Sequence, residues 1–334
     1  MLQYIIRRLL MLIPVLIGVA ILAFALIHLI PGDPAKSMLG EKATAAQVEQ
    51  LREELHLNDP LYVQFGYYLG DILSGDLGES IKSKESIVVE MQTRFPATLE
   101  LSLFAMTIAV IVGVLAGIIS AVKQYSWFDN LSMTGALIGV SLPIFWLGLM
   151  MIWLFSVKLQ WLPPSGRLSN DIELQTITNL YMLDSILTGN WPALKDSFLH
   201  LLMPGLALGT IPMAIIARMT RSSMLEVMKQ DYIRTATAKG LAKYLVIFQH
   251  ALKNAFLPVL TVIGMQFGFL LGGAVLTETI FSWPGVGRYV YQAVLGRDYP
   301  VVQTTILLIA IVFVLINLLT DVLYKYFDPR IRYD

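Results

Sequence analysis

RMTRSSMLEVMKQDYIRTATAKGLAKYLVIFQHALKNAFLP, residues 218–258, separates two long apolar runs and carries seven of the chain's 24 Lys and Arg residues. The periodicity of this stretch is helical, and Gly240 and Pro258 interrupt it. A basic, partly polar stretch between two apolar runs is typical of a loop that emerges from a membrane. We therefore predict that this loop connects a membrane-embedded domain to a separate partner outside the bilayer.

The composition and the apolar runs together predict the fold class. Of the 334 residues, 56% are hydrophobic and 14% are charged, whereas soluble domains carry about 25% charged residues. Six apolar runs are each long enough to cross a hydrocarbon core about 30 Å thick. They lie near 9–30, 97–122, 131–157, 199–218, 256–280 and 301–324. We predict an all-α polytopic membrane protein with six transmembrane helices.

Several function classes are excluded or disfavoured by what the sequence lacks. A net charge of zero argues against a general nucleic-acid binder, and without cysteine there is no disulfide, thiol nucleophile or Cys-ligated zinc. No Lys follows a Gly, so the chain has no Walker A motif, and neither HExxH nor GxSxG occurs. No span carries the acids and histidines expected of a proton-driven pump. We predict no catalytic residues and no bound metal, with energy supplied by another polypeptide.

The distribution of basic residues predicts the orientation. With the N-terminus inside, the cytoplasmic segments hold thirteen Lys and Arg residues, and the two later outside loops hold five. Both termini are therefore predicted to be cytoplasmic. We interpret the first apolar run as a retained helix, because it is longer than the apolar part of a signal peptide and lacks a small-x-small cleavage site.

The predicted organisation has three parts: residues 1–30, an extracytoplasmic segment 31–96, and a transmembrane domain 97–334. The last part contains a cytoplasmic loop 219–255 and an outer lid 281–300. The second part opens with a Pro-Gly-Asp-Pro turn, and Thr44 is predicted to cap a helix with Val48, Leu51 and Leu55 on its apolar face. His28 is either a proton-relay group or a helix cap, and we favour the cap.

Small residues recur one helical turn apart in four of the predicted spans, a spacing that lets helix backbones approach closely. The pairs are Gly113 with Gly117, Gly135 with Gly139, and Gly205 with Gly209, and span five carries Gly264, Gly268 and Gly272. We interpret most of them as packing positions within the chain. The triple in span five is the best candidate for a moving interface along a translocation path.

Gly240 divides the cytoplasmic loop into two halves of different character. The half before it, Asp231 to Lys239, is polar and suits docking into a protein groove. The half after it is predicted to form a separate amphipathic helix at the membrane surface, directed toward span five. Its apolar face comprises Leu241, Leu245, Phe248, Leu252 and Ala255.

The stretch after span five reads ETIFSWPGVG from Glu278 and is followed by a short aromatic helix. We predict that it folds against a channel mouth as an outer gate that includes Phe281 and Trp283. Two roles for Glu278 stay open: contact with a charged cargo group, or a helix-end carboxylate that faces water, which we favour.

Seven motifs in order along the chain are similar to those of one transporter family. They are LIPGDP (29–34), RFPATLEL (94–101), RSSMLEV with DYIRTATAKGL (221–227 and 231–241), HALKNAFLP (250–258), ETIFSWPGVGR (278–288), RDYPVVQ (297–303) and DPRIR (328–332). The chain thus resembles the permease subunits of binding-protein-dependent ABC importers, in the dipeptide/oligopeptide and nickel branch.

This resemblance implies a type I importer (MetI-like) fold in a bacterial or archaeal cytoplasmic membrane. It also implies a heterodimer with a second permease, two ABC ATPase subunits that bind ATP and Mg²⁺, and an extracytoplasmic peptide-binding protein. The segment that contacts the ATPase would include Asp231, Arg234, Thr235, Ala236, Lys239, Gly240 and Leu241. Of the general Glu-Ala-Ala-x3-Gly pattern, only Ala236 and Gly240 are kept.

Three alternatives to peptide import remain at this stage. The same machine could carry nickel or another small solute, although the scattered histidines favour peptide. A secondary transporter driven by an ion gradient, and a membrane anchor or sensor without transport, are the other two.

Overall fold

The structure, a computed structural model, describes residues 2–28, 34–40 and 43–327. The predicted turn residues 31–33 and the DPRIR motif at 328–332 lie outside the described residues. In the described part, helices dominate and the only β pairing is an isolated bridge between Glu79 and Ser86, which confirms the all-α prediction.

Fifteen α-helices and two π-helical stretches make up the described chain. They are α1 (Leu2–His28), α2 (Pro34–Leu39), α3 (Ala45–Glu54), α4 (Leu61–Ser74), α5 (Ile87–Val122), α6 (Trp127–Ser141), α7 (Ile144–Met151), the first π stretch (Ile152–Lys158), α8 (Tyr181–Leu187), α9 (Trp191–Val227), α10 (Asp231–Ala238), α11 (Lys243–Leu245), the second π stretch (Val246–Leu252), α12 (Lys253–Gly273), α13 (Val275–Ile280), α14 (Val286–Leu295) and α15 (Tyr299–Phe327).

Within the described residues, four helices are long and apolar enough to cross a membrane: Ile87–Val122, Trp191–Val227, Lys243–Gly272 and Tyr299–Leu319. A fifth span results if α6 and the helix Ile144–Lys158 are counted together. The first predicted span corresponds to α1, whose described apolar stretch, Leu10–Ala25, is shorter than the others. The structure is thus consistent with six spans and itself supplies four or five.

The third predicted span, drawn as one helix over 131–157, is broken. The chain bends by 102° between Ser141 and Ile144. Pro143 explains the break, because a proline cannot donate the backbone hydrogen bond that would continue the helix and it disfavours helical geometry in the residue before it. Leu142 accordingly has extended backbone angles.

The prediction of a separate amphipathic helix after Gly240 was also wrong. Residues Lys243 to Gly272 form one continuous helical rod, so the predicted surface helix is the beginning of span five itself. The turn that links α10 to this rod is short, from Lys239 to Ala242. A π-helical stretch, Val246–Leu252, widens the rod within the part that was predicted to be the surface helix.

The chain divides into two compact units. The first comprises the residues up to Phe95 together with Gly285–Leu315. Its core joins Ile87 and Met91 of α5 to residues of α14 and α15. The predicted cap of α3 is present, since the Thr44 hydroxyl accepts a hydrogen bond from the Gln47 amide and the Gln47 side chain returns one to Thr44. One ring nitrogen of His28 lies 3.1 Å from the Phe24 carbonyl oxygen in the last turns of α1, as expected of a helix cap, and the other lies 2.9 Å from the Gln64 side-chain oxygen of α4.

The second unit comprises Pro96–Pro284 together with the chain from Ile316. Its core is formed by α5, α9 and α12, including Leu101, Leu201 and Val259, each fully buried. Glycines bring α5 and α9 together. A Cβ added to Gly117 would lie 2.6 Å from the Ala217 carbonyl oxygen, and one added to Gly209 would lie 2.8 Å from that of Ala105. These pairs pack within the chain, as predicted.

Candidate functional site

The candidate site is α10, the eight-residue helix that forms the polar half of the loop predicted to be cytoplasmic. Ile233 and Ala236 are its two buried residues, 5% and 6% exposed. Ile233 belongs to a small apolar cluster with Met224 of α9 and Ala251 of the second π stretch. The helix is therefore held on the ends of two candidate spans through its inner face.

Gly240 ends α10 with a left-handed backbone, at φ +77°. The Gly240 amide donates to the Thr237 carbonyl at 3.0 Å, and the Leu241 amide donates to the Ala236 carbonyl at 3.4 Å. This pair of bonds is the Schellman arrangement, which favours glycine at the left-handed position. No heavy atom lies within 4 Å of a Cβ added to Gly240, so the backbone angle alone requires glycine here.

The outer face of α10, defined as Asp231, Tyr232, Arg234, Thr235, Ala238 and Lys239, is exposed. The charged side chains of Arg234 and Asp231 are 76% and 96% exposed and lie 3.5 Å apart. An ion pair this exposed adds little to stability. The polar residues predicted for docking are thus gathered on one helix, and their charges are available to a partner.

An ion pair between a partly exposed arginine and a buried carboxylate anchors the neighbouring end of α9. Asp129 of α6 accepts from Arg221 of α9 at 2.7 Å and 2.8 Å, and also accepts from the Tyr125 amide and the Ser120 hydroxyl. Asp129 is 2% exposed. The turn between α5 and α6 is thereby fixed to α9 one helical turn from the Met224 contact with α10.

The residues predicted to form the outer gate are buried. Trp283 is 1% exposed, and its indole nitrogen donates to the Ala97 carbonyl at 2.8 Å. Phe281, 2% exposed, packs against Met203 and Ala207 of α9.

The water-facing position favoured for Glu278 was wrong, because this residue is 0% exposed. Its carboxylate accepts from the Thr98 hydroxyl at 2.6 Å. The prediction failed because the partner lies 180 residues earlier in the chain, a separation that no local pattern reveals.

Of the span-five glycines, Gly264 and Gly268 are buried and Gly272 is exposed. Their predicted place along a translocation path stays a prediction. The predicted outer lid 281–300 is divided between the two compact units. Its residues up to Pro284 belong to the second unit, and those from Gly285 belong to the first.

Sequence reasoning did not single out the Glu100–Arg167 pair. The Arg167 guanidinium donates to Glu100 at 2.5 Å and to the Asn179 carbonyl at 2.9 Å, and it lies over the Tyr181 ring at 3.7 Å. The two side chains are 7% and 4% exposed. The glutamate is in the RFPATLEL motif, but nothing in the sequence pairs it with an arginine 67 residues later.

A second overlooked residue, Asp184, fixes the loop before α9. Burial acts to raise the pKa of its carboxyl, but hydrogen bonds from the Thr178 hydroxyl and the Thr178 and Ile177 amides outweigh burial and hold the pKa below its ordinary value.

Comparisons with known proteins agree with this architecture. The model of the family described as binding-protein-dependent transport system inner membrane component matches residues 113–333, and the model of its N-terminal region matches residues 1–102. A dipeptide transport system permease protein of Alkalihalophilus pseudofirmus is 57% identical over 100% of both chains. A di/tripeptide transport system permease protein of Pseudomonas aeruginosa is 52% identical over 100% of this chain and 99% of its own.

The fold is similar to that of a solved chain of the MetNI methionine ABC transporter in an inward-facing conformation. The TM-score is 0.52 at 17% identity, and the match covers 69% of this chain and 93% of the other. This similarity confirms the predicted fold of an ABC importer membrane subunit.

Proposed function

Because this chain belongs to the family of binding-protein-dependent transport system inner membrane components, we propose that it is the permease subunit through which an ATP-driven ABC importer passes di- or oligopeptides into the cytoplasm. The observation that carries the proposal is the full-length similarity to dipeptide permeases, at 57% identity without uncovered segments. The chain is a multi-pass membrane protein, and both of its termini are proposed to be cytoplasmic.

The proposed division of labour leaves the chemistry to other subunits. A second, homologous permease completes the pathway as a heterodimer. Two ABC ATPases bind ATP and Mg²⁺, and an extracytoplasmic binding protein delivers the peptide. This chain is proposed to have no catalytic residues and to bind no cofactor.

The outer face of α10 is the proposed ATPase contact. Its support is geometric: the face is exposed and charged, and the helix behind it is held through Ile233 against Met224 of α9 and Ala251 of the Lys243–Gly272 rod. A push on α10 therefore acts on two spans that share one core. Transport follows if closure of the ATPases shifts the equilibrium between two arrangements of these spans.

Reconstitution tests the proposal. The four membrane-associated subunits are placed in vesicles with the binding protein on the outside, and uptake of a radiolabelled dipeptide is followed with ATP or a non-hydrolysable analogue in the lumen. We expect uptake with ATP alone. Uptake that survives without ATP and collapses with an uncoupler would instead identify a secondary transporter, and no flux under any condition would identify an anchor or sensor.

A cargo competition distinguishes peptide from metal. Excess unlabelled dipeptide is expected to abolish uptake of the labelled dipeptide, and Ni²⁺ is expected to leave it unchanged. The alternative importer of nickel or another small solute predicts no uptake of the labelled dipeptide.

A further inference from the structure

A cavity of about 170 Å³ lies in the first compact unit, and none of the residues proposed for the ATPase contact lines it. Its walls come from the end of α1, the turn after α3, one face of α4 and the start of α15. On α4 the lining residues Gln64, Tyr67, Tyr68 and Asp71 follow the three- and four-residue spacing of a single helix face. An engineered cavity of about 150 Å³ binds benzene, so this one can hold a small organic molecule.

The rim of the cavity, formed by its exposed lining residues, is acidic. Glu54, Asp71 and Asp76 belong to this rim, and no Lys or Arg is among the lining residues. The Asp71 carboxylate has neither an ion pair nor a hydrogen bond to the described residues. Carboxylates that line one cavity create a negative potential and attract a cation. No group of three His, Asp or Glu side chains in the described chain is arranged to hold a metal ion, so the geometry favours an organic cation.

Two polar groups in the buried part of the lining have no partner. Gln303 is 7% exposed, and its amide makes no hydrogen bond of ordinary geometry to the described residues. The Tyr68 hydroxyl is also buried and unpaired. Burial raises the pKa of this hydroxyl to about 12, and the nearby Gln303 amide opposes the rise only in part. Buried polar groups without a partner are uncommon, so these two indicate a ligand that bonds to them.

The polar groups around them are already committed within the chain. The Gln64 amide nitrogen donates to the Leu57 and Asp59 carbonyl oxygens at 3.3 Å and 2.7 Å, and its oxygen lies 2.9 Å from a ring nitrogen of His28. The Thr304 hydroxyl donates to the Leu77 carbonyl oxygen at 2.9 Å. These bonds fix the cavity wall and leave Gln303 and Tyr68 available to a ligand.

We propose that this cavity binds the primary ammonium group of a small organic molecule. The ammonium donates to the Gln303 amide oxygen and the Tyr68 hydroxyl and is paired with the Asp71 carboxylate, while the organic remainder lies against the rings of Phe24 and Tyr67. A peptide N-terminus and a free alkylamine share this chemistry. The inference goes beyond the proposed transport and does not require that the importer carry peptides.

Equilibrium dialysis of the purified importer complex, without its binding protein, against radiolabelled n-butylamine tests the proposal, with detergent alone as the blank. We expect one saturable site. Unlabelled n-butanol and butyrate have similar alkyl chains but no cation, so neither is expected to compete. Competition by n-butanol as strong as that of unlabelled n-butylamine, or the absence of a saturable site, would overturn the proposal.

Two unlabelled peptides separate the two sources of the ammonium. Displacement by alanylalanine but not by N-acetylalanylalanine supports a peptide N-terminus, and displacement by neither supports a free amine. Displacement by both would overturn the proposal, because the acetylated peptide has no ammonium. No step of this test involves transport, so its failure leaves the proposed function intact, and a failure of peptide uptake leaves this result intact.

Variants of the lining locate the site. Gln303→Met keeps the length of the side chain and removes its polar group, so n-butylamine binding is expected to weaken about tenfold. The free energy of unfolding should not fall, because the amide has no partner to lose. Asp71→Asn is expected to weaken binding about threefold, since this carboxylate is exposed. The matched control, Glu53→Gln, removes an exposed carboxylate outside the cavity and should bind like the wild type. Unchanged binding in both lining variants would refute the assignment, and one of them suffices for this decision if the other does not assemble.

Discussion

Asp129 and Arg221 are 92 residues apart in the chain and meet in a two-point ion pair, Nε to Oδ1 at 2.7 Å and Nη2 to Oδ2 at 2.8 Å. The geometry is bidentate, the form in which an arginine–carboxylate pair is strongest and most directional. Asp129 also accepts from Ser120 and the Tyr125 amide, so one carboxylate joins the end of α5, the start of α6 and α9. These ends of three helices are therefore held by one residue.

Removal of the arginine is expected to destabilise the fold. Arg221→Met leaves the Asp129 charge buried without its cation, and a loss of about 3 kcal/mol in unfolding free energy is expected. Unfolding in mixed detergent and SDS measures this. Arg218→Met, which changes an exposed arginine one turn earlier, is the control and should change stability by no more than about 0.5 kcal/mol.

The double variant Asp129→Asn/Arg221→Met should recover part of that loss, because the unpaired buried charge is gone. Losses that simply add would show that the two residues act independently, contrary to the observed pair.

The close approach of α5 and α9 predicts opposite effects at two glycines. Gly209→Ala places a methyl group 2.8 Å from the Ala105 carbonyl oxygen, which is backbone and cannot turn aside, so a loss of about 1–3 kcal/mol is expected. Gly135→Ala meets nothing within 4 Å and is expected to gain about 0.5–1 kcal/mol from lower chain entropy in the unfolded state. The same unfolding assay measures both, and equal effects would contradict the packing.

The left-handed end of α10 predicts a graded series at Gly240. Proline cannot adopt φ +77° and has no amide to donate to Thr237, so Gly240→Pro should displace the exposed face of α10 and abolish stimulation of the ATPases by the loaded binding protein. Gly240→Asn, which tolerates the left-handed region, should retain most of the stimulation. ATPase assays of the reconstituted complex compare the two variants.

Reversal of charge on the outer face of α10 tests the contact itself. Arg234→Glu with Lys239→Glu is expected to leave the fold intact, because both side chains are exposed, and to uncouple ATP hydrolysis from cargo. Stimulation at the wild-type level would remove this face from the proposed ATPase contact.

The low pKa of Asp184 predicts a pH-dependent contribution to stability. A carboxyl whose folded pKa lies below its unfolded value of about 3.9 stabilises the fold above that value and loses the effect as the pH falls through the folded pKa. The difference in melting temperature between wild type and Asp184→Asn should therefore be largest at neutral pH and shrink below about pH 4. Glu173→Gln, on the same loop with an exposed side chain, should show no such trend.

Features that depend only on residues close together in the chain were predicted from the sequence. Thr44 and Gln47 are three residues apart and cap their helix as a capping box, and Gly240 ends α10 where the polar half of the loop ends. The family resemblance, carried by motifs along the whole chain, gave the fold and the class of transporter. The paired glycines of α5 and α9 were predicted to pack, although the sequence did not say with which partner.

The features that were not predicted depend on the direction of a helix or on contacts with residues far away in the chain. Hydropathy measures length but not angle, so Pro143 did not reveal a bend of 102° inside an apolar run. An amphipathic face is the same on a surface helix and on the first turns of a span, which is why the Lys243–Gly272 rod was divided in error. The burial of Glu278 depends on Thr98, 180 residues away.

The length of α9 has a consequence for communication across the bilayer. Its 37 residues extend about 55 Å, whereas a bilayer with its head groups is about 40–45 Å thick. The prolines inside it, Pro204 and Pro212, are both buried, so neighbouring helices hold any kink in place. This one unbroken helix is thus long enough to reach past both surfaces of a bilayer, and an axial displacement of Trp191 is also a displacement of Val227. A movement at one end of α9 therefore reaches the other end through the helix itself, without passing through loops.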